Sequence, residues 1–157
     1  MYEYRCKVLK VIDGDTVDVD IDLGFGVCMM DERVRIMGID TPESRTSDKV
    51  EDLFGEAAKA RVKELLGKGD HAILKTEVNK HGEDMKGKFG RILGDFIIED
   101  YDDKRLTDIL IEEGHAVAYF GGSKEEIQIK HMANRKKLLR EGIVNQEDYD
   151  KLISEEK

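Results

Sequence analysis

The run Thr16-Val17-Asp18-Val19-Asp20-Ile21-Asp22 alternates strictly between apolar and acidic side chains. A β-strand, with its period of two, sends Val17, Val19 and Ile21 to one face and Asp18, Asp20 and Asp22 to the other. One face of the sheet is therefore core and the other is water, which is the pattern of an antiparallel sheet rather than a parallel one. Just upstream, Cys6 to Val11 alternates too and runs into Asp13-Gly14, a dipeptide suited to a tight hairpin turn. The chain is thus predicted to open with a half-buried hairpin.

Further strand-like runs follow. Leu23-Gly24-Phe25-Gly26 reads as a turn or bulge, Val27 to Met30 as a third strand, Asp31-Glu32 as an interruption, and Val34 to Ile39 as another strand ending at Asp40. The period then changes. Val50, Leu53, Phe54, Ala57, Ala58, Arg61, Val62, Leu65 and Leu66 fall on one helical stripe that Gly67 ends. Strand character returns from His71 to Val78, a polar loop spans Asn79 to Gly87, and Gly90 to Ile98 is strand-like again. A short helix is predicted from Leu106 to Glu113 with Gly114 at its C′ position. Ser123, with Glu126 three residues on, caps a long helix to about Glu141, and the tail from Asn145 reads as a short acidic helix with Tyr149, Leu152 and Ile153 on one side. Short strands, long excursions, one early helix and two late ones predict an α+β fold, mainly β in its core: an antiparallel barrel with helices outside it, an order that fits the oligonucleotide/oligosaccharide-binding kind.

At 157 residues the chain suits one domain, 1–157, with its core over about 5–144 and residues 145–157 as the acidic tail helix. No long apolar run is present to span a membrane, and Met1 to Arg5 lacks the basic-then-apolar order of a signal peptide, so a cytoplasmic, intracellular location is expected. The cysteines Cys6 and Cys28 are expected to be free thiols, although pairing across two strands stays open. No CxxC pair exists and the four histidines are scattered, which sets cysteine-based zinc sites aside and points to surface or packing roles for His71, His81, His115 and His131. The net charge of −9 opposes a polyanionic partner at long range. It is unevenly spread, however: much of the acid lies in Glu99 to Asp103 and beyond Asn145, while Lys80, Lys86, Lys88 and Arg91 cluster in one loop region.

Two polar constellations carry chemistry. Asp13-Gly14-Asp15-Thr16 and Asp40-Thr41-Pro42-Glu43 each end a strand, and each is bland alone, one a turn and the other a proline-stiffened strand end. Together, Asp15, Asp40 and the Thr41 carbonyl offer half a shell of hard oxygen ligands, leaving the rest for water and phosphate. Oxygen-only donors favour calcium or magnesium over zinc. Glu43, three residues past Asp40, is placed to take a proton from water as a general base; the bland alternative is an acid leading into the next helix. Arg35 and Arg91 are guanidinium forks able to hold a phosphate and the extra charge of its five-coordinate transition state. Lys88, in Lys88-Phe89-Gly90-Arg91, is a candidate substrate contact, and Tyr119 with Phe120 either packs in the core or stacks on a base.

With these residues assembled, the chain resembles the staphylococcal nuclease (thermonuclease) family. The matching stretches are Val11 to Val17, Arg35 through Glu43, Lys88-Phe89-Gly90-Arg91 and Glu113-Gly114-His115-Ala116, in the family's order from about residue 5 to about residue 144. The resemblance implies a five-stranded barrel with three helices and calcium-dependent hydrolysis of DNA and RNA, single strands preferred, with the bond to the 5′ oxygen broken and 3′-phosphate ends left. It assigns the calcium ligands to Asp15, Asp40 and the Thr41 carbonyl, water activation to Glu43, and phosphate binding to Arg35 and Arg91. Calcium is the cofactor expected, ahead of magnesium or manganese, and the protein is expected to act as a monomer on nucleic acid, with no membrane partner.

The chain also departs from the family's pattern. Phe89 stands where tyrosine is usual, the Leu23–Glu32 loop is differently built, Val144 stands about where a tryptophan follows the last helix, and the chain is acidic where secreted members are basic. Ala116 to Gly122 does not align cleanly, so the identity of the tyrosine near the substrate phosphate is open at Tyr119. The alternative function is a non-catalytic nucleic-acid-binding barrel; against it stands the full set of two aspartates, a glutamate and two arginines. Three protein donors are too few for a calcium-buffering protein.

Overall fold

The computed structural model describes residues 2–67, 71–77 and 91–155. The opening hairpin forms as its alternation requires. Strands β1 (Glu3–Asp13) and β2 (Thr16–Asp22) pair antiparallel with Cys6 opposite Ile21, Val8 opposite Val19 and Asp13 opposite Thr16. Val17, Val19 and Ile21 are buried, and their acidic neighbours face outward.

The next strand corrects the sequence reading. Residues read as two runs split at Asp31-Glu32 form one strand, β3 (Cys28–Ile36), paired with β2. The disturbance at Asp31 is a bulge: the residue has φ +52°, the register shifts between Val19 and Ile21, and the Asp31 amide donates to the Asp20 carboxylate at 2.8 Å. Nor does the strand reach Asp40. Gly38, at φ +84°, turns the chain, and Ile39–Asp40 forms a separate short strand, β4.

Strand β5 (His71–Thr76) pairs antiparallel with β1, and β6 (Ile92–Ile98) pairs antiparallel with β5. The ring β3-β2-β1-β5-β6 then closes through a parallel pairing of β3 with β6, Val34 opposite Ile92 and Ile36 opposite Gly94. The expected five-stranded barrel is present but mixed rather than wholly antiparallel. Parity explains this: a ring with an odd number of strands cannot alternate direction at every neighbour, so one pair has to run the same way.

Helix α1 (Lys49–Leu66) starts at Asp48, whose carboxylate accepts from the Val50 and Glu51 amides at 3.1 Å, and ends at Gly67. A short 3-10 turn (Glu99–Tyr101) and the two-residue strand β7 (Lys104–Arg105) follow β6, both too short for a sequence signal. Helix α2 (Leu106–Glu113) has no cap from its own leading residue; Asp95 of β6 supplies one, accepting from the Thr107 hydroxyl at 2.6 Å and its amide at 3.4 Å. After β8 (Val117–Ala118) comes α3 (Lys124–Arg140), capped by Ser123, and then α4 (Gln146–Glu155).

The main core fills the barrel and the α1 and α2 faces against it, with Val8, Val34, Ile36, Leu74, Phe96, Val62 and Leu110 among its members. A second cluster joins Val50 and Phe54 of α1 to Leu138 and Val144, and the tail helix covers it with Tyr149, Leu152 and Ile153. The Phe54 and Tyr149 rings meet edge-on at 6.0 Å. Cys6 is buried, which pushes its thiol up to about 12, and Cys28 is exposed; both are free. Among the described residues no helix is long and apolar enough to cross a membrane. The expected Asn79–Gly87 loop, the continuation of β5 to Val78, the basic cluster at Lys80, Lys86 and Lys88, and His81 lie outside the described residues.

His115 packs in the interior, with no hydrogen-bond partner for Nδ1 among the described residues. Burial pushes its pKa below the ordinary 6.5, so the folded state binds fewer protons than the unfolded chain. Stability from this group is complete above the unfolded pKa and is lost as pH falls through the lower folded value. In thermal melts from about pH 7.5 to about pH 5.5, His115→Leu is expected to lose less of its melting temperature than the parent. Equal losses in the two proteins would show that His115 carries none of the acid sensitivity.

Candidate active site

The two motifs reach one place because helix α1 supports both. The Asp13–Gly14 turn lies on α1: a Cβ at Gly14 would stand 3.0 Å from the Ala58 Cβ and 3.3 Å from the Thr41 side chain. One turn earlier on the same helix, Gly55 faces the Glu43–Ser44 peptide. A Cβ there would come within 2.7 Å of the Ser44 nitrogen and closer still to the Glu43 carbonyl. The Ser44 hydroxyl donates to the Asp13 carboxylate, tying the second loop to the first.

Arg35 stands between the two aspartate loops. Its guanidinium lies 3.3 Å from the Asp15 carboxylate and donates to the Ile39 carbonyl at 3.2 Å and to the Ile36 carbonyl. Asp15 is held further by the Thr16 hydroxyl at 2.9 Å, and its carbonyl accepts from the Ile36 amide at 2.8 Å. Asp40 sits on β4, which pairs with β8 so that Asp40 lies opposite Val117. Its Oδ2 is 2.6 Å from Nε2 of His131, a buried residue of α3. Thr41 follows, itself buried.

Glu43 completes the group. Partial burial, and then the charges of Asp15, Asp13, Glu51 and Asp40, push its pKa above the ordinary carboxylate value. Among the described residues no three His, Cys, Asp or Glu side chains form a ready-made cage. The oxygen donors the two loops offer are the carboxylates of Asp15 and Asp40 and the carbonyl of Thr41, all of them hard. Donors of that chemistry suit a hard cation such as calcium, and three of them leave a shell open to water or phosphate.

Arg91 immediately precedes β6, and the pairing of Ile92 with Val34 sets it beside the start of the β3–β6 seam. It lines a groove of about 590 Å³ with Asp13, Thr16, Arg33 and Arg45. The two arginines thus occupy different positions, Arg35 within the acid cluster and Arg91 on the groove beside it. Arg33 is engaged with Asp18 at 2.8 and 3.1 Å. Tyr119 donates its amide to the Gly38 carbonyl at 2.9 Å and is partly exposed, while the exposed Phe120 ring lies over Gly38. Lys88 lies outside the described residues.

Three residues that shape the site had no part in the expected set. His131 was expected in a surface or packing role; its one legible signal is the seven-residue spacing to Leu138, which marks an inward stripe. Ser44 and Gly55 carry no signal of their own, because what they touch is set by how α1 lies against the loops.

Residues 33–146 match the family model described as staphylococcal nuclease homologue. That span includes Arg35, Asp40 to Glu43 and Arg91, and begins after Asp15. The chain is 33% identical over 111 residues to the SPbeta prophage-derived endonuclease YokF of Bacillus subtilis, covering 70% of this chain and 33% of that protein. It is 33% identical over 111 residues to the endonuclease YncB of the same organism, covering 70% of this chain and 46% of that protein. With the thermonuclease of Staphylococcus intermedius it shares 31% identity over 122 residues, 78% of this chain and 64% of the relative. The chain therefore spans from about a third to just under two thirds of the length of these relatives. With the match covering most of its length, the chain belongs to the family of staphylococcal nuclease homologues.

Proposed function

We propose that this chain is a calcium-dependent nuclease that hydrolyses phosphodiester bonds of single-stranded DNA or RNA, acting as a monomer. The observation that carries this reading is Arg35, whose guanidinium joins the Asp15 carboxylate to the peptide preceding Asp40. One arginine fork, two hard-ligand loops and Glu43 are thereby gathered at one point of the barrel. The printed names of the relatives, endonucleases and a thermonuclease, support the same class of chemistry.

Asp15, Asp40 and the Thr41 carbonyl would hold the cation. When bound, it supplies positive charge to the scissile phosphate and to the attacking water. Glu43 accepts the proton that water loses as its oxygen bonds to phosphorus. Arg35 and Arg91 hold the non-bridging oxygens, whose charge rises in the five-coordinate transition state. The bond from phosphorus to the 5′ oxygen breaks, that oxygen takes a proton from solvent, and a 3′ phosphate remains. The raised pKa of Glu43 belongs to the cation-free cluster, where like charges crowd it. The net charge of −9 keeps substrate binding transient and sensitive to salt.

Cation removal tests the reading. Cleavage of a labelled single-stranded oligonucleotide is expected in calcium, is expected to stop on addition of a chelator, and is expected to return when calcium is restored. Binding without cleavage, in calcium, magnesium or manganese alike, would favour the non-catalytic barrel.

A further inference from the structure

Asp40 is the candidate ligand with the fewest supports from its own loop. Asp15 is flanked by Thr16 and Arg35, but among the described residues the Asp40 carboxylate has a single hydrogen-bond partner, Nε2 of His131 at 2.6 Å. That partner comes from a helix 91 residues away in sequence. The histidine is buried, while the Asp40 side chain is 44% exposed, so the fixed member of the pair is the imidazole.

The helix that carries His131 is itself tied to the strand beside Asp40. Asn134, one turn further along α3, donates to the Ala116 carbonyl at 3.3 Å, and Val117 is the residue paired with Asp40. Lys137, another turn on, donates to the Glu112 carbonyl at 2.6 Å. Successive turns of α3 therefore anchor on the α2–β8 connection and on the last turn of α2, and His131 is presented to Asp40 from that frame. His131 and Leu138 are the two buried residues of α3, which leaves most of the helix surface to solvent.

A carboxylate that ligates a cation through one oxygen needs its other oxygen held, because rotation about the side chain otherwise moves the ligating atom and costs entropy on binding. From these contacts we propose that His131 is a positioning residue of the cation site: its Nε2–H donates to Oδ2 of Asp40, fixing the carboxylate so that Oδ1 is the oxygen available to the ion. The inference rests on the cation-site reading given above. It adds a fourth element, α3, to a site otherwise built from the β1–β2 turn, the β3–β4 region and α1.

The test is cation affinity in the full chain, read as displacement of bound terbium by calcium through terbium luminescence, for the parent, His131→Ala, His131→Gln and Asp40→Asn. Hydrogen exchange of the α3 amides is measured on the same proteins. His131→Ala is expected to weaken calcium binding by about 10- to 100-fold, the usual cost of removing a group that orients a ligand. His131→Gln, whose side-chain amide also donates, is expected to restore most of that loss, with α3 protection kept throughout. Unchanged affinity in His131→Ala alongside a loss in Asp40→Asn would overturn the inference and leave the cation site standing. A loss that glutamine does not restore, accompanied by loss of α3 protection, would make His131 a structural pin and overturn it equally. If Asp40→Asn also binds calcium as the parent does, Asp40 is no ligand, and the site reading falls together with the inference.

Discussion

Replacing Glu43 by glutamine is expected to lower the single-turnover cleavage rate by about two to four orders of magnitude, the range that a positioned general base contributes. Glutamine keeps the size and the hydrogen-bonding reach of the side chain but cannot accept the proton of the attacking water. The fold is expected to tolerate the change. Burial and the charges of Asp15, Asp13, Glu51 and Asp40 already disfavour the ionised carboxylate, so removing that charge relieves repulsion in the cation-free protein. The melting temperature without cation should therefore hold or rise while the rate collapses. A rate within about tenfold of the parent would remove Glu43 from the chemistry, because a general base contributes more than that.

The second large effect is expected from a residue with no side chain to offer. Gly55→Ala in an ordinary helix interior stabilises by about 1 kcal/mol, since alanine has the better helix propensity. Here the sign should reverse. The added methyl group would lie within 2.7 Å of the Ser44 nitrogen and nearer to the Glu43 carbonyl, both backbone atoms of the site loop. A flexible side-chain end can swing aside, whereas this backbone is held by the bond from Ser44 to Asp13 and by the packing of Thr41 against the Asp13–Gly14 turn. The strain is expected to cost about 1–3 kcal/mol of stability. The larger consequence is kinetic: moving the Glu43 loop by about 1 Å should lower the rate by about 100-fold, as misplacement of a catalytic group does. A Gly55→Ala protein that is both more stable and fully active would show that α1 does not set the position of Glu43.

These two positions also show where the sequence was informative and where it was not. Glu43 is picked out as a candidate by the fixed spacing of Arg35, Asp40 and Pro42, a pattern that is local in the chain. The alternation of Thr16 to Asp22, the stripe from Val50 to Leu66 and the stops at Gly67 and Gly114 were legible for the same reason, since each is decided by residues a few positions apart. Gly55 carries no local signal, because its reason is the approach of another segment. The bulge at Asp31 was read as a break, since neighbouring acids interrupt the alternation whether a strand ends or merely buckles. The closing pair β3–β6 is parallel because of the number of strands in the ring, which no local pattern encodes. His131 lies furthest from legibility, for its partner Asp40 is distant along the chain and meets it only when α3 folds back beside β8.

On the function proposed, the acids and arginines form a cation-dependent hydrolytic site with Glu43 as its base. The most direct measurement is single-turnover cleavage of an end-labelled single-stranded oligonucleotide by the parent protein and by Glu43→Gln, each in calcium and in excess chelator. Rapid cleavage is expected in one of the four reactions, the parent with calcium, with products that carry 3′-phosphate ends. Cleavage that persists in chelator, or that proceeds equally with Glu43→Gln, would contradict that function.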